Sequence, residues 1–132
     1  NMSSGGGIIS VRKCKSVFDL FSKYLKNFDE DYGVISAYAT DIVAAVCTIV
    51  KRNIGEAQHG FMHIDYVELV FFYNCSMAFN TALSGAVIGL QNVEIFTCQS
   101  ISFLNNYANA DGGFILFYSC SKHQSYQLYL QR

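Results

Sequence analysis

The stretch "FLNNYANADGGFI", residues 103–115, sets an aromatic three positions ahead of Asn106 and the second of two glycines seven positions after it. Neither a helix nor an isolated hairpin accounts for that order. Walking backward from Gly113, the same corner recurs at Ala86, Gly60, Gly33 and Gly7, in steps of 27, 26, 27 and 26 residues. Two residues beyond these positions stand Ile115, Ile88, Met62, Ile35 and Ile9. Twenty residues beyond the first four corners stand Asn27, Asn53, Asn80 and Asn106, preceded at three residues by Tyr24, Val50, Met77 and Phe103. The stretch is therefore one unit of a repeat, complete four times and begun a fifth.

Taking the corner as slot 0, slots +2 and +4 hold Ile9/Val11, Ile35/Ala37, Met62/Ile64, Ile88/Leu90 and Ile115/Phe117. Slots +15 and +17 are also largely apolar. Alternation of period two means strands, and helical repeats of the usual kinds are longer with a 3.6 period. The spaced leucines of a leucine-rich repeat are absent. One coil per repeat, with short strands joined at small-residue corners, predicts an all-β fold: a right-handed parallel β-helix of about five coils, 26–27 residues each. Adjacent coils should lie ~4.8 Å apart.

Composition agrees. Of 132 residues, 52% are hydrophobic and 14% charged, with a net charge of −1, which excludes a disordered chain and an electrostatic nucleic-acid binder. There is no proline, so turning rests on Gly, Asn and Asp. The longest apolar run, "IVAAVCTIV" (42–50), is too short to span a bilayer, so no direct membrane insertion is expected. Residue 1 is Asn, and residues 1–132 are expected to be a single segment of a longer solenoid. Five cysteines without a CxxC pair give no zinc-ribbon or redox motif, and no disulfide is expected. His59 and His63 are four apart on a strand and corner rather than on a helix, which is not the metalloprotease arrangement. No cofactor is implied.

The pairing of "FxxN" with "GG[AFIV]I" resembles the repeat of the chlamydial polymorphic outer-membrane proteins, found also in large surface proteins of other microbes, ciliates included. The likeness covers nearly the whole chain. It departs from the pattern at Tyr32 and His59, which replace the first glycine, and at Val50 and Met77, which replace the aromatic. The resemblance implies a β-helical stalk or passenger with structural or adhesive roles, on the cell surface or outside the cell. It carries no catalytic residues to transfer.

Each column has a physical task. Asn27, Asn53, Asn80 and Asn106 are expected to face inward and bond to one another and to the corner backbone. Gly7, Gly33, Gly60, Gly85 and Gly113 should supply corners with positive φ or close backbone approach. Slot +8 holds Lys15, Asp41, Glu68 and Glu94. Carboxylates ~5 Å apart match the spacing of a retaining glycosidase, and calcium could bridge them. That motivates the alternative of a pectin-lyase-like polysaccharide lyase or hydrolase, on fold-level analogy. A solvated acidic column is the plainer reading.

"LVFFY" (69–73) is apolar at consecutive positions, so part of it must face outward. A lateral contact surface is expected there, with Val70, Phe72 and Phe96 as its members. "NCS" (74–76) fits the N-glycosylation pattern, and its register puts Asn74 on the surface. The functional expectation is a non-enzymatic, structural or adhesive segment. Its partner is another protein chain, reached by end-to-end stacking into filaments or by lateral packing, with a glycan on Asn74 if the source glycosylates.

Overall fold

The alternating slots of successive repeats pair with one another as parallel strands. The computed structural model describes residues 2–3, 9–29, 33–56, 61–83, 87–110, 115–120, 122–125 and 128–131. Ile9, Ile35, Met62, Ile88 and Ile115 stand opposite one another in adjacent strands, so the step of 26 or 27 residues is the height of one coil. The architecture is all-β, a parallel β-solenoid of about four turns.

Among the described residues three sheets wrap it. The long sheet stacks Ile35–Val46, Met62–Tyr73 and Ile88–Gln99. Below them lie Ile9–Arg12 and Ser16–Leu20, and above them Ile115–Tyr118 and Lys122–Ser125. A second sheet stacks Lys23–Leu25, Ile49–Lys51, Ser76–Ala78, Ile101–Leu104 and Leu128–Gln131. A third stacks Met2–Ser3, Phe28–Asp29, Ile54–Gly55, Thr81–Ala82 and Tyr107–Ala108.

One apolar cluster fills the inside. In the inner coils slots +2 and +4 face it, as do +15 and +17, as expected from the alternation, while Ile9 and Phe117 of the end coils are 38% exposed. Slot +1 joins them: Val34, Phe61 and Val87 are fully buried. Large and small residues complement one another between coils. Ala45 precedes Phe72 in slot +12, and Phe72 packs edge-to-face on Phe96 at 5.8 Å. Phe96 in turn meets Phe117 at 5.4 Å, so an aromatic string ties three coils. Each such ring removed from water contributes roughly 1.5–3 kcal/mol.

The corners use a device that glycine alone did not reveal. Gly33 has φ 92°, as its column requires, while Gly7, Gly60, Gly85 and Gly113 lie outside the described residues. Among the described residues, thirteen non-glycine residues also have φ between 48° and 57°. They form three columns: slot +6 (Lys13, Ala39, Tyr66, Asn92, Ser119), slot +14 (Phe21, Cys47, Asn74, Ser100) and slot +19 (Lys26, Arg52, Phe79, Asn105). None is β-branched, the class for which this region is least accessible. The left-handed turn costs each residue roughly 1–2 kcal/mol. It is tolerated because the corner N–H stays in the ladder: Lys13 donates to Tyr38 O at 3.0 Å, Cys47 to Tyr73 O at 2.9 Å and Arg52 to Ala78 O at 3.1 Å. Ala39→Gly relieves one such strain, offset in part by unfolded-chain entropy. The expected gain is about 0.5–1 kcal/mol in urea unfolding, whereas Ala39→Val should lose stability.

Candidate functional site

The Asn column is a continuous inward ladder. Asn53 and Asn80 are fully buried, Asn27 nearly so, and Asn106 is half-buried. The backbone N–H and the side-chain Nδ2 of Asn27 both donate to Asn53 Oδ1, at 3.0 and 2.9 Å. Asn53 repeats the pair onto Asn80 Oδ1 at 3.0 and 3.0 Å, and Asn80 onto Asn106 Oδ1 at 3.0 and 2.8 Å. The other Nδ2 proton of each reaches back to the preceding coil: Asn53 to Tyr24 O, Asn80 to Val50 O, Asn106 to Met77 O, at 3.1, 3.2 and 2.9 Å. One side chain type thus satisfies the corner backbone of three successive coils. Its task is structural.

A second polar element inside was not foreseen. Asp19 occupies slot +12, the position of Ala45, Phe72 and Cys98 in later coils, and is buried. Thr48 Oγ1 donates to its Oδ2 at 3.2 Å. Tyr24 lies beside it, and burial, with the Asp19 carboxylate adding to the effect, pushes the Tyr24 phenol up to about 12. Since the folded value lies above the unfolded one, this contribution is complete below pH 10.0 and is lost as pH climbs toward about 12.

The flanks divide by chemistry. In the long sheet beyond the slot +6 bend, Ile42, Leu69 and Ile95 of slot +9 are half-buried on the outside. Phe18 and Phe71 of slot +11 and Leu20 and Tyr73 of slot +13 complete this outer apolar face. Phe18 is 61% exposed, Leu20 54% and Tyr73 40%; Phe71 and Tyr73 stack nearly parallel at 6.3 Å. The contact surface expected at Val70, Phe72 and Phe96 is therefore corrected: these three are core residues, exposed by 0%, 1% and 1%. An outward apolar strip does exist, but the alternate residues carry it. Leu69, Phe71 and Tyr73 face out because alternation leaves Val70 and Phe72 facing in.

The acidic column borders that apolar face. Asp41, Glu68 and Glu94 are exposed and line a shallow depression with Thr40, Tyr66 and Asn92. Asn92 Nδ2 donates to Asp65 Oδ1 at 2.9 Å. Among the described residues no group of three His, Cys, Asp or Glu side chains is placed to hold a metal ion, so the calcium-bridged version of the column is set aside. His63 lies in the described part of "HGFMH", half-buried on the long sheet between Ser36 and Gly89; His59 lies outside the described residues.

Burial pushes the His63 imidazole below its ordinary 6.5, with Asp65 opposing. A depressed folded value means that this stability is complete above 6.5 and is lost as pH falls through the folded value. Urea midpoints of the wild type should therefore fall between about pH 7 and about pH 5, and His63→Gln should flatten that component of the slope.

All five cysteines are free thiols. Cys75 is buried and donates to Tyr73 O and Ala45 O at 3.3 and 3.4 Å; burial pushes its thiol up, away from reactivity. Cys47 sits one slot earlier, in a left-handed corner. Asn74, at the same corner one coil on, is exposed, with Nδ2 3.4 Å from Cys47 Sγ. Comparisons of the chain with models of protein families, with curated proteins and with solved structures gave no match, so the parallel β-solenoid and its columns are what characterise it.

Proposed function

We propose that the chain is a structural or adhesive solenoid segment of a cell-surface or extracellular protein, acting through lateral packing of its flank and not through catalysis. The observation that carries this reading is the outer apolar face around Phe18, Leu69, Phe71 and Tyr73, rimmed by the carboxylates of slot +8. A contiguous apolar strip with a polar rim is the usual form of a protein contact. The resemblance of the repeat to the polymorphic outer-membrane protein repeats agrees with it. So does the acceptor pattern at Asn74, whose side chain is exposed on the flank.

The test places a charge on the apolar face without touching the core. Phe71→Asp should leave the melting temperature within a few degrees and should abolish association of the chain with itself or with its partner in native extracts. A wild type that stays monomeric at high concentration and captures nothing that Phe71→Asp loses would sink the reading. The depression at Asp41, Glu68 and Glu94 supports a second reading, cleavage of a polysaccharide. Turnover of acidic or neutral polysaccharides that disappears in Glu68→Gln would favour it.

A further inference from the structure

Two surfaces of this solenoid complement each other in both polarity and charge. The first is the outer apolar face of the long sheet with its acidic rim, Asp41, Glu68 and Glu94. The second lies ten or eleven residues further round the coil, at the corner between the second and third sheets. There a groove is lined by Leu25, Lys26, Lys51, Arg52 and Phe79. Leu25 and Phe79 are 51% and 46% exposed, and the neighbouring Ile54 of the third sheet is 46% exposed. Lys26, Lys51 and Arg52 are exposed, and among the described residues none of the three is ion-paired. So over the three coils of Asp41, Glu68 and Glu94 one surface is apolar with an anionic rim, with the exposed Lys15 in the same slot one coil below, and the other surface is apolar with a cationic rim.

Both rims are built on the same coil rise. Lys26 and Arg52 share slot +19 on adjacent coils, and the acids share slot +8 on three adjacent coils. Strands of one sheet repeat every ~4.8 Å, so two solenoids lying with parallel axes keep their charges in step along the contact. Tyr66, 57% exposed beside Glu68, adds a ring face that a guanidinium such as that of Arg52 can cover. The net charge of −1 offers little long-range repulsion between copies.

We propose that the groove of Leu25, Lys26, Lys51, Arg52 and Phe79 docks a second copy of this chain through that copy's slot +8 carboxylates and outer apolar face. The proposal rests on the lateral-packing reading above and names its partner. The two surfaces differ, so the contact is heterologous. A pair joined in this way still presents one free surface of each kind, the groove of one chain and the acid-rimmed face of the other, so copies add side by side in an open row.

Sedimentation velocity on the 132-residue chain tests this. Association at low salt should weaken about tenfold or more between roughly 50 mM and roughly 500 mM salt, because exposed charge pairs are screened. Lys51→Glu with Arg52→Glu should give monomers, and so should Asp41→Lys with Glu68→Lys. An equimolar mixture of the two variants should associate again, since each then offers the charge the other lacks.

Several results would overturn the proposal. One is a wild type that is monomeric at low salt. Another is association that neither reversal alters. A third is loss in both variants without recovery on mixing. Association that resists salt and is lost only in Phe71→Asp would keep the apolar reading and remove this one. Salt-sensitive binding of a polyuronate by the wild type, lost in Lys51→Glu with Arg52→Glu while the chain stays monomeric, would assign the groove to a polyanion instead.

Discussion

Asn53→Ala is expected to lower the unfolding free energy by roughly 3 kcal/mol, or on the order of 10 °C in melting temperature for a chain of this size. The residue is fully buried and accepts two hydrogen bonds from Asn27 while donating to Asn80 Oδ1 and Tyr24 O. Truncation leaves the Asn27 backbone N–H and one Nδ2 proton facing a methyl group, and the Tyr24 carbonyl without its donor. Water cannot readily replace these partners at a site with no solvent exposure, and each unpaired buried group costs about 1–3 kcal/mol. Relaxation of the corner recovers part of the loss.

Two further substitutions sharpen the expectation. Asn106→Ala should cost only about 1 kcal/mol, because that end of the ladder is half-exposed and water can bond to Asn80 instead. Asn53→Asp keeps the acceptor for Asn27 but sets a carboxylate against Asn80 Oδ1 and Tyr24 O, where donors stood. It should be at least as damaging at neutral pH and partly relieved on acidification. Urea unfolding at two pH values distinguishes these outcomes. Unchanged stability in Asn53→Ala and Asn80→Ala together would mean that the amides do not form an inward ladder.

The ladder was legible in the sequence because its column is chemically uniform: four asparagines at one slot leave no other residue type to average over. The same holds for slot +2, where every member is Ile or Met, and hence for the coil height and the parallel register. The left-handed corners were not legible. Slot +6 holds Lys, Ala, Tyr, Asn and Ser, a set with no shared chemistry. Its only signal is the absence of β-branched residues, visible once thirteen positions are known to share a backbone state. Asp19 was missed for a related reason. A single acid in a strand reads as outward until the phase of slot +12 is known, and only the buried Thr48 hydroxyl explains how the carboxylate is accommodated.

The contact face shows where hydrophobicity stops being informative. Residues 69–73 are apolar at both parities, so their own pattern cannot say which set faces the core. Comparison across coils does say. Slot +10 is Val17, Val43, Val70 and Phe96, apolar in every coil, as a core column must be. Slot +11 is Phe18, Ala44, Phe71 and Thr97, which admits a hydroxyl. Uniform apolarity along the axis marks slot +10 as inside, and the hydroxyl position in slot +11, unpartnered among the described residues, marks that column as outside; slot +12 stays inside despite Asp19 because Thr48 bonds to that carboxylate. The expected contact residues were drawn from the column that the fold most needs for itself.

That assignment makes Phe72 and Phe71 a matched pair, adjacent in sequence and opposite in consequence. Phe72→Ala should cost roughly 3–5 kcal/mol, the range for deleting a buried aromatic ring. Phe72 is 1% exposed and packs edge-to-face on Phe96, which itself packs on Phe117. The void opens between coils whose backbones are held at the ladder spacing, so the walls cannot close on it. Phe71→Ala removes a half-buried ring on the outer face whose ring partner among the described residues is the exposed Tyr73. It should cost less than about 1 kcal/mol, within the range of surface substitutions. Its effect should appear in association instead. Denaturant unfolding of the two variants beside the wild type measures the difference directly. Equal losses, or a larger loss in Phe71→Ala, would mean that the strand 62–73 is slipped by one residue, because a one-residue slip moves every side chain of a strand to the other face.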